Sequence, residues 1–322
     1  ACPGWWKKST GKLKAQFWRI CIFMLEFQIP KIEDREWAKS ILAGAEGMGN
    51  EFAFGTLFLW SKAYNCRICR HGEFVFVCYN YGTGEDLYTY PIGKGNLREA
   101  LEVLRSDAAE RGVPFRLWGL SREDCEELED ELPGRFSYEP FRNDFDYIYR
   151  SQDLIQLAGR KYHGKRNHLS QFSRNYSWSY EDISPENFED VRKVAREWAR
   201  QNGVDESGGL SSENQAIFKA LEFFGPLEFS GGLIRVDEKP VAFTIGEEIN
   251  SCCFVLHFEK ALEGYTGLYA VINHEFAARR LEKYEYVNRE EDMGVEGLRK
   301  AKLSYHPAIL QEKYVASPRE QT

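Results

Sequence analysis

A chain of 322 residues that is 43% hydrophobic and 15% aromatic can bury one large core or two ordinary ones, and two domains are the expectation. The formal net charge of -8 excludes a protein whose whole surface grips nucleic acid, because polyanion affinity is built from clustered Lys and Arg; local basic patches are still allowed. Eight cysteines without a recurring spacing exclude a disulfide scaffold and fit a reducing cytoplasm, and no apolar run reaches the roughly 20 residues that cross a bilayer.

Residues 1–23 hold Lys7, Lys8, Lys12, Lys14 and Arg19 and no acid. Arg19 interrupts the apolar stretch that a signal peptide needs, so these residues read as an extension ahead of a start at Met24; a basic arm touching membrane or RNA is the alternative. A strand at 66–70 then turns at His71-Gly72 into a strand at 74–81, and after Gly82-Thr83-Gly84 a third strand runs over 87–91. Cys66 and Cys69 form a C-x-x-C without a second pair at zinc-ribbon spacing, and they read as structural thiols with no metal. A Gly93-Lys94-Gly95 loop leads into a helix that opens with the capping box Asn96-Leu97-Arg98-Glu99. That helix buries Leu97, Ala100, Leu101, Leu104 and Ala108, and stops at Gly112. A strand follows at 115–118, and the tyrosine-rich segment 143–149 closes the first unit.

Residues 160–174 carry five Lys or Arg with His163 and His168. At helical spacing this segment buries Tyr162, Leu169, Phe172 and Tyr176 and turns Lys161, Lys165, Arg166 and Arg174 outward. Ser184-Pro185 starts a second amphipathic helix, with Phe188, Val191, Ala195 and Trp198 inward. Strands at 233–236, 241–247 and 252–258 come next, the last holding Cys252 and Cys253 as buried thiols. The loop Glu263-Gly264-Tyr265-Thr266-Gly267, a helix burying Leu268, Ile272, Phe276 and Leu281, and a strand at 284–288 complete the unit. The order β-β-β-loop-α-β therefore occurs twice. It predicts an α/β (α+β) chain of two tandem domains with mixed sheets flanked by helices, 24–150 and 151–322.

Glycines between a strand and a helix let backbone N–H groups approach a pyrophosphate, as a thioester-using N-acyltransferase requires, so Gly264 and Gly267 are candidate donor-binding residues. Arg289-Glu290-Glu291-Asp292 follows the last strand, at the carboxyl end where α/β folds gather ligands. Its acids can deprotonate an amine or hold an ammonium and Arg289 can bind an anion; a solvated loop is the other reading. His257 and Glu259 alternate along their strand and are expected on one face, with Glu259 favoured for chemistry. Lys165 and Arg166 offer a dock for a coenzyme tail or a tRNA acceptor stem, or form a plain solvated face. Arg299 and Lys302, three apart on a short helix ended by Pro307, can grip an anionic donor.

The run Gly297-Leu298-Arg299-Lys300-Ala301-Lys302-Leu303-Ser304-Tyr305-His306-Pro307 resembles the C-terminal signature of the phosphatidylglycerol lysyltransferase C-terminal domain family. The likeness extends over residues 24–315, including Lys165-Arg166-Asn167-His168, His257-Phe258-Glu259-Lys260 and the 288–294 cluster, and is strongest to stand-alone bacterial members. It implies two tandem acyl-CoA N-acyltransferase (GNAT)-like folds related to the Fem-type aminoacyltransferases, which draw on charged tRNA. By motif, Gly267 matches the glycine before the long helix, Arg299 and Lys302 match the donor-side cations, and Tyr305 joins Arg289, Glu290 and Asp292 as substrate-binding. Three departures are visible. The long membrane-embedded half of the lipid-modifying members has no counterpart, Leu268-Tyr269-Ala270 stands where an Asp is usual, and Arg289-Glu290-Glu291-Asp292 replaces an apolar, small-residue loop.

The expectation is a cytoplasmic transferase that moves an acyl or aminoacyl group to an amine or hydroxyl acceptor. Its catalytic candidates are Glu259, Glu291 and His257, with acyl-CoA or aminoacyl-tRNA as co-substrate and no permanently bound cofactor. A non-catalytic binding protein that keeps the fold and an ordinary acetyl-CoA-dependent N-acetyltransferase are the alternatives. No motif speaks to oligomeric state.

Overall fold

A computed structural model describes residues 25–80, 86–204 and 211–319. The basic stretch 1–23, the start at Met24 and the Gly82-Thr83-Gly84 turn lie outside the described residues. Two short helices, α1 (Arg35–Gly44) and α2 (Phe54–Leu59), lead into the hairpin β1 (Arg67–His71) and β2 (Phe74–Tyr79). The third strand is shorter than expected. β3 (Leu87–Thr89) ends before Pro91, which has no N–H to continue the ladder, and β4 (Ile92–Gly93) turns back onto β2. Helix α3 (Leu97–Arg111) begins where Asn96 accepts a hydrogen bond from the Glu99 N–H and ends at a left-handed Gly112, as its local signals dictate. After it come β5 (Leu117–Leu120), α4 (Arg122–Glu131) and β6 (Phe136–Pro140).

The second half consists of β7 (Asp146–Arg150), α5 (Ser151–Gln156), α6 (His163–Asn175), β8 (Trp178–Asp182), α7 (Phe188–Gln201), α8 (Ser212–Glu222), β9 (Ser230–Val236), β10 (Lys239–Glu248), β11 (Cys253–Ala261), α9 (Leu268–Arg280), β12 (Tyr286–Asn288), α10 (Glu296–Leu303), β13 (Ile309–Gln311) and β14 (Tyr314–Pro318). Helix α7 buries Val191, Val194, Ala195 and Ala199, with the expected Trp198 only half-buried.

The duplication shows in the pairing. One sheet runs β1-β2-β3-β5-β14-β6 with β4 beside β2, and the other runs β8-β9-β10-β11-β12-β7-β13. In each, an antiparallel meander is followed by a helical crossover to a parallel strand, β3 beside β5 and β11 beside β12. Beyond the parallel strand the halves trade partners: β14 from the chain's end pairs with β5 and β6, while β7 pairs with β12 and β13. This corrects the expectation that residues 143–149 close the first unit. The largely buried interior of the second sheet claims β7, whose residues 146–149 are buried, Asp146 included.

One core joins the halves. Leu57 and Phe58 of α2 pack in a cluster with Val75 and Val77 of the first sheet, Val191 of α7, and Phe243 and Ile245 of the second. Each fully buried Leu or Phe there contributes roughly 1.5–3 kcal/mol relative to exposure, so the two units share stability.

Candidate functional site

The parallel strands β11 and β12 pair only over Cys253–Val255 and Tyr286–Asn288, and beyond that they part. At the parting β11 carries a bulge. Ile245 faces Phe258 and Gly246 faces Leu256, which leaves His257 without a partner residue. Gly246 makes this possible, since a Cβ there would sit 2.0 Å from the Val255 carbonyl oxygen. The extra residue turns His257 to the face of Phe229 and Phe258, whereas Glu259 reaches Asn273 of α9 on the other face. The expectation that His257 and Glu259 share a face is therefore corrected, because strict alternation does not survive a bulge.

Both faces of the gap are bridged by charge. On one, buried His257 shares its two ring nitrogens between Glu290 at 2.9 Å and Glu247 at 3.0 Å, and Glu247 also accepts the Gly55 N–H at 2.7 Å. Burial opposes the imidazolium, but the two carboxylates outweigh it and raise the His257 pKa to about 9. On the other face, Arg289 donates to Glu259 at 2.7 Å and lies 4.8 Å from the Tyr305 ring centre. Lys165 completes this group, with its ammonium 3.6 Å from the Tyr305 ring centre and 2.8 Å from Ser304 Oγ. Burial, then the nearby Arg289, pushes the Lys165 amine down to about 8.

The loop from Arg289 to Asp292 is held from within rather than solvated. Asp292 is fully buried, binds Arg299 through both oxygens at 2.8 Å, and accepts from the Tyr147 hydroxyl at 2.5 Å and from Arg142 at 3.1 Å. Burial works against its charge, yet the hydrogen bonds from Arg299 and Tyr147 hold its carboxyl well below the usual range. Lys302 donates to the carbonyl oxygens of Arg289, Glu290 and Glu291, so Arg299 and Lys302 are both spent on the loop. Glu291 is different. It accepts from Asn50 at 3.1 Å, and burial, followed by Glu290 and Asp146, pushes its carboxyl up to about 8. Behind it Lys313 binds Glu51 at 2.8 Å, Asp146 at 3.0 Å and Asn50 at 2.7 Å, fastening the N-terminal residues to the chain's end. Burial opposes the Lys313 charge, but Asp146 and Glu51 hold it well above its ordinary range.

Glu259, Arg289, Tyr305 and Lys165 thus meet on one face of the gap, with His257, Glu290 and Glu291 on the other. Asp292, Arg299 and Lys302 form the frame behind them. Arg166 caps the carbonyl oxygens of Leu157 and Gly159 and faces away from this group. The glycine loop is packed on one side only: a Cβ on Gly267 would lie 2.8 Å from the His168 carbonyl oxygen of α6 and Tyr176 donates to the Gly264 carbonyl, while Gly264 and Thr266 are exposed. Among the described residues no three His, Cys, Asp or Glu side chains are grouped to hold a metal. Reasoning from sequence missed Asn50, Asn273, Glu247 and Lys313. Glu247 alone had a signal, an acid inside the apolar strand Val241-Ala242-Phe243-Thr244-Ile245-Gly246.

Residues 45–317 match the family described as phosphatidylglycerol lysyltransferase, C-terminal. The chain is 36% identical to a conserved protein of unknown function from Bacteroides thetaiotaomicron, with a TM-score of 0.87 over 92% of this chain and 100% of that one. L-PGS from Bacillus licheniformis shares the fold at 15% identity, with a TM-score of 0.67 over 92% of this chain and 94% of that one. An uncharacterised protein of Mycoplasmoides gallisepticum is 24% identical over 176 residues, 53% of this chain and 55% of that protein, so the chain spans about half the length of the curated relative that it matches. No helix among the described residues is long and apolar enough to cross a membrane. With two mixed sheets built in the same order and a family match over most of its length, the chain belongs to the phosphatidylglycerol lysyltransferase C-terminal family.

Proposed function

We propose that the gap between β11 and β12 transfers an acyl or aminoacyl group, from a thioester or an aminoacyl-tRNA ester, to an amine or hydroxyl acceptor. The observation that carries this reading is a pair of buried polar atoms beside Glu259, Arg289 Nη1 and Asn273 Oδ1, that have no hydrogen-bond partner among the described residues. Buried polar groups are nearly always paired, so two orphans at the carboxyl end of a parallel pair point to a ligand. Lys165 and Arg289 attract the anionic part of the donor, and Glu259 orients Arg289.

The acceptor nitrogen or oxygen attacks the donor carbonyl carbon. The new bond forms as the C–O or C–S bond breaks, and the electron pair leaves on the ribose oxygen or the thiolate. In its ionised form Glu291, whose pKa is raised to about 8, takes the acceptor's proton and returns it to the leaving atom. His257 holds the two strands together as an imidazolium clamp and is not free to act as a base.

The test incubates the full chain with labelled acetyl-coenzyme A and, separately, with mixed charged tRNAs and an amine acceptor. Label is expected to leave one of the donors, and Glu291→Gln should slow transfer by about 10²–10⁴-fold. Absence of binding of either donor at high concentration overturns the reading.

A further inference from the structure

The first sheet has its own gap, at the place equivalent to the one just described. β3 and β5 pair at Tyr88 with Leu117 and at Thr89 with Trp118, and then separate. Pro91 turns one strand aside, and Gly119, at φ +80°, bends the other. Between them lies a cavity of about 390 Å³, within the range of small-molecule sites, lined in part by Phe52, Thr89, Tyr90, Trp118, Asp124 and Glu127.

Its walls are acidic and aromatic. Lys94 is the only Lys or Arg among the lining residues, and its ammonium lies 3.5 Å from Glu46, while Glu51 is neutralised by Lys313. Of the remaining acids, Asp124 accepts the Ser121 N–H at the start of α4, and Glu127 keeps one oxygen open among the described residues while the other accepts the Tyr90 hydroxyl at 2.9 Å. A second, independent sign is Thr89. It lines the same cavity and is only 2% exposed, yet its hydroxyl has no partner among the described residues. The backbone of Gly93-Lys94-Gly95 ahead of α3 is a place where a phosphate could have docked, but Asn96 already caps that helix and two carboxylates look across at it.

We propose that this cavity binds a small organic cation, a primary ammonium carried on an apolar stem. The ammonium sits at the Glu127 carboxylate, and the stem lies along the cavity that Phe52, Thr89, Tyr90 and Trp118 line. Binding here does not depend on the transfer reading of the other gap.

The experiment labels the full chain with fluorotryptophan, assigns Trp118 by its loss in Trp118→Phe, and titrates with n-pentylamine, 1-pentanol and acetyl-coenzyme A under fluorine NMR. The amine is expected to shift the Trp118 signal saturably and the other two to leave it in place. Glu127→Gln, an isosteric change at an exposed position, should weaken the amine by about tenfold, with Thr89→Val as a second, smaller loss. The proposal is overturned if pentanol or acetyl-coenzyme A shifts Trp118 as the amine does, if the amine leaves it unmoved, or if Glu127→Gln binds the amine as well as the parent chain.

Discussion

Two gaps between parallel strands stand at equivalent places in the two sheets, and the sequence treats them in opposite ways. Between β11 and β12 the gap is crossed on both faces, by His257 with Glu290 and by Arg289 with Glu259. Between β3 and β5 no such bridge forms among the described residues; a proline and a glycine spread the strands and leave an open cavity. The same topology thus yields a charged, tightly tied gap in one copy and an aromatic, roomy one in the other. The order of elements is the same in both sheets, and the side chains alone make the two gaps differ.

The largest test of this contrast is Lys313→Met. Lys313 lies between the gaps, against Glu51 of the first cavity and Asp146 behind the second. Removing it leaves two buried carboxylates uncompensated and should cost about 3–5 kcal/mol in urea unfolding, with both gaps loosened together in hydrogen exchange. Loss of protection in only one sheet would show that the gaps are independent.

His257→Gln comes next and concerns the second gap alone. Its raised pKa stabilises the folded chain fully below the ordinary value of 6.5, and that contribution is lost as pH rises to about 9. Glu291 acts in the same sense: its carboxyl stabilises below 4.5, and the benefit fades as pH climbs to about 8. Thermal stability is therefore expected to fall between pH 6.5 and 9. His257→Gln should be less stable by about 2–4 kcal/mol at pH 6.5, with a flatter profile above it. A parent chain with a level profile over that window would remove the imidazolium clamp.

Thr89→Val has the smallest expected effect and belongs to the first gap. An unpaired buried hydroxyl contributes no hydrogen bond, so stability should stay within about 1 kcal/mol or rise slightly. A clear loss in urea unfolding would mean that Thr89 has a structural partner and would weaken the case for a ligand there.

Much of the architecture was legible because its signals are local. Asn96 and Gly112 bracket α3, Pro185 opens the turn before α7, and near-continuous apolar runs mark the β9-β10-β11 meander. The acids and the arginine at 289–292 stood out beside a buried strand, and they do form the bridged gap. Their division of labour was not legible. Whether Asp292 is a buried hub and Glu291 an acid with a raised pKa depends on Tyr147, Arg142 and Asn50, which lie far away in sequence. The bulge at His257 had a trace in Gly246, a glycine inside a strand.

By itself the sequence determined α3, α6, α7, α9 and α10, the two meanders and the repeated order of elements, since these follow from hydrophobic period, caps and turns within a few residues; α1, α2, α4, α5 and α8 were not legible in it. Only the tertiary structure decided that β7 and β14 change places between the sheets, that Lys313 meets Asn50 and Glu51, and that one gap is tied while the other is open. The physical reason is range. A short strand or a single charge says what it needs, burial or a counter-charge, but which distant part of the chain supplies it is settled only when the core closes.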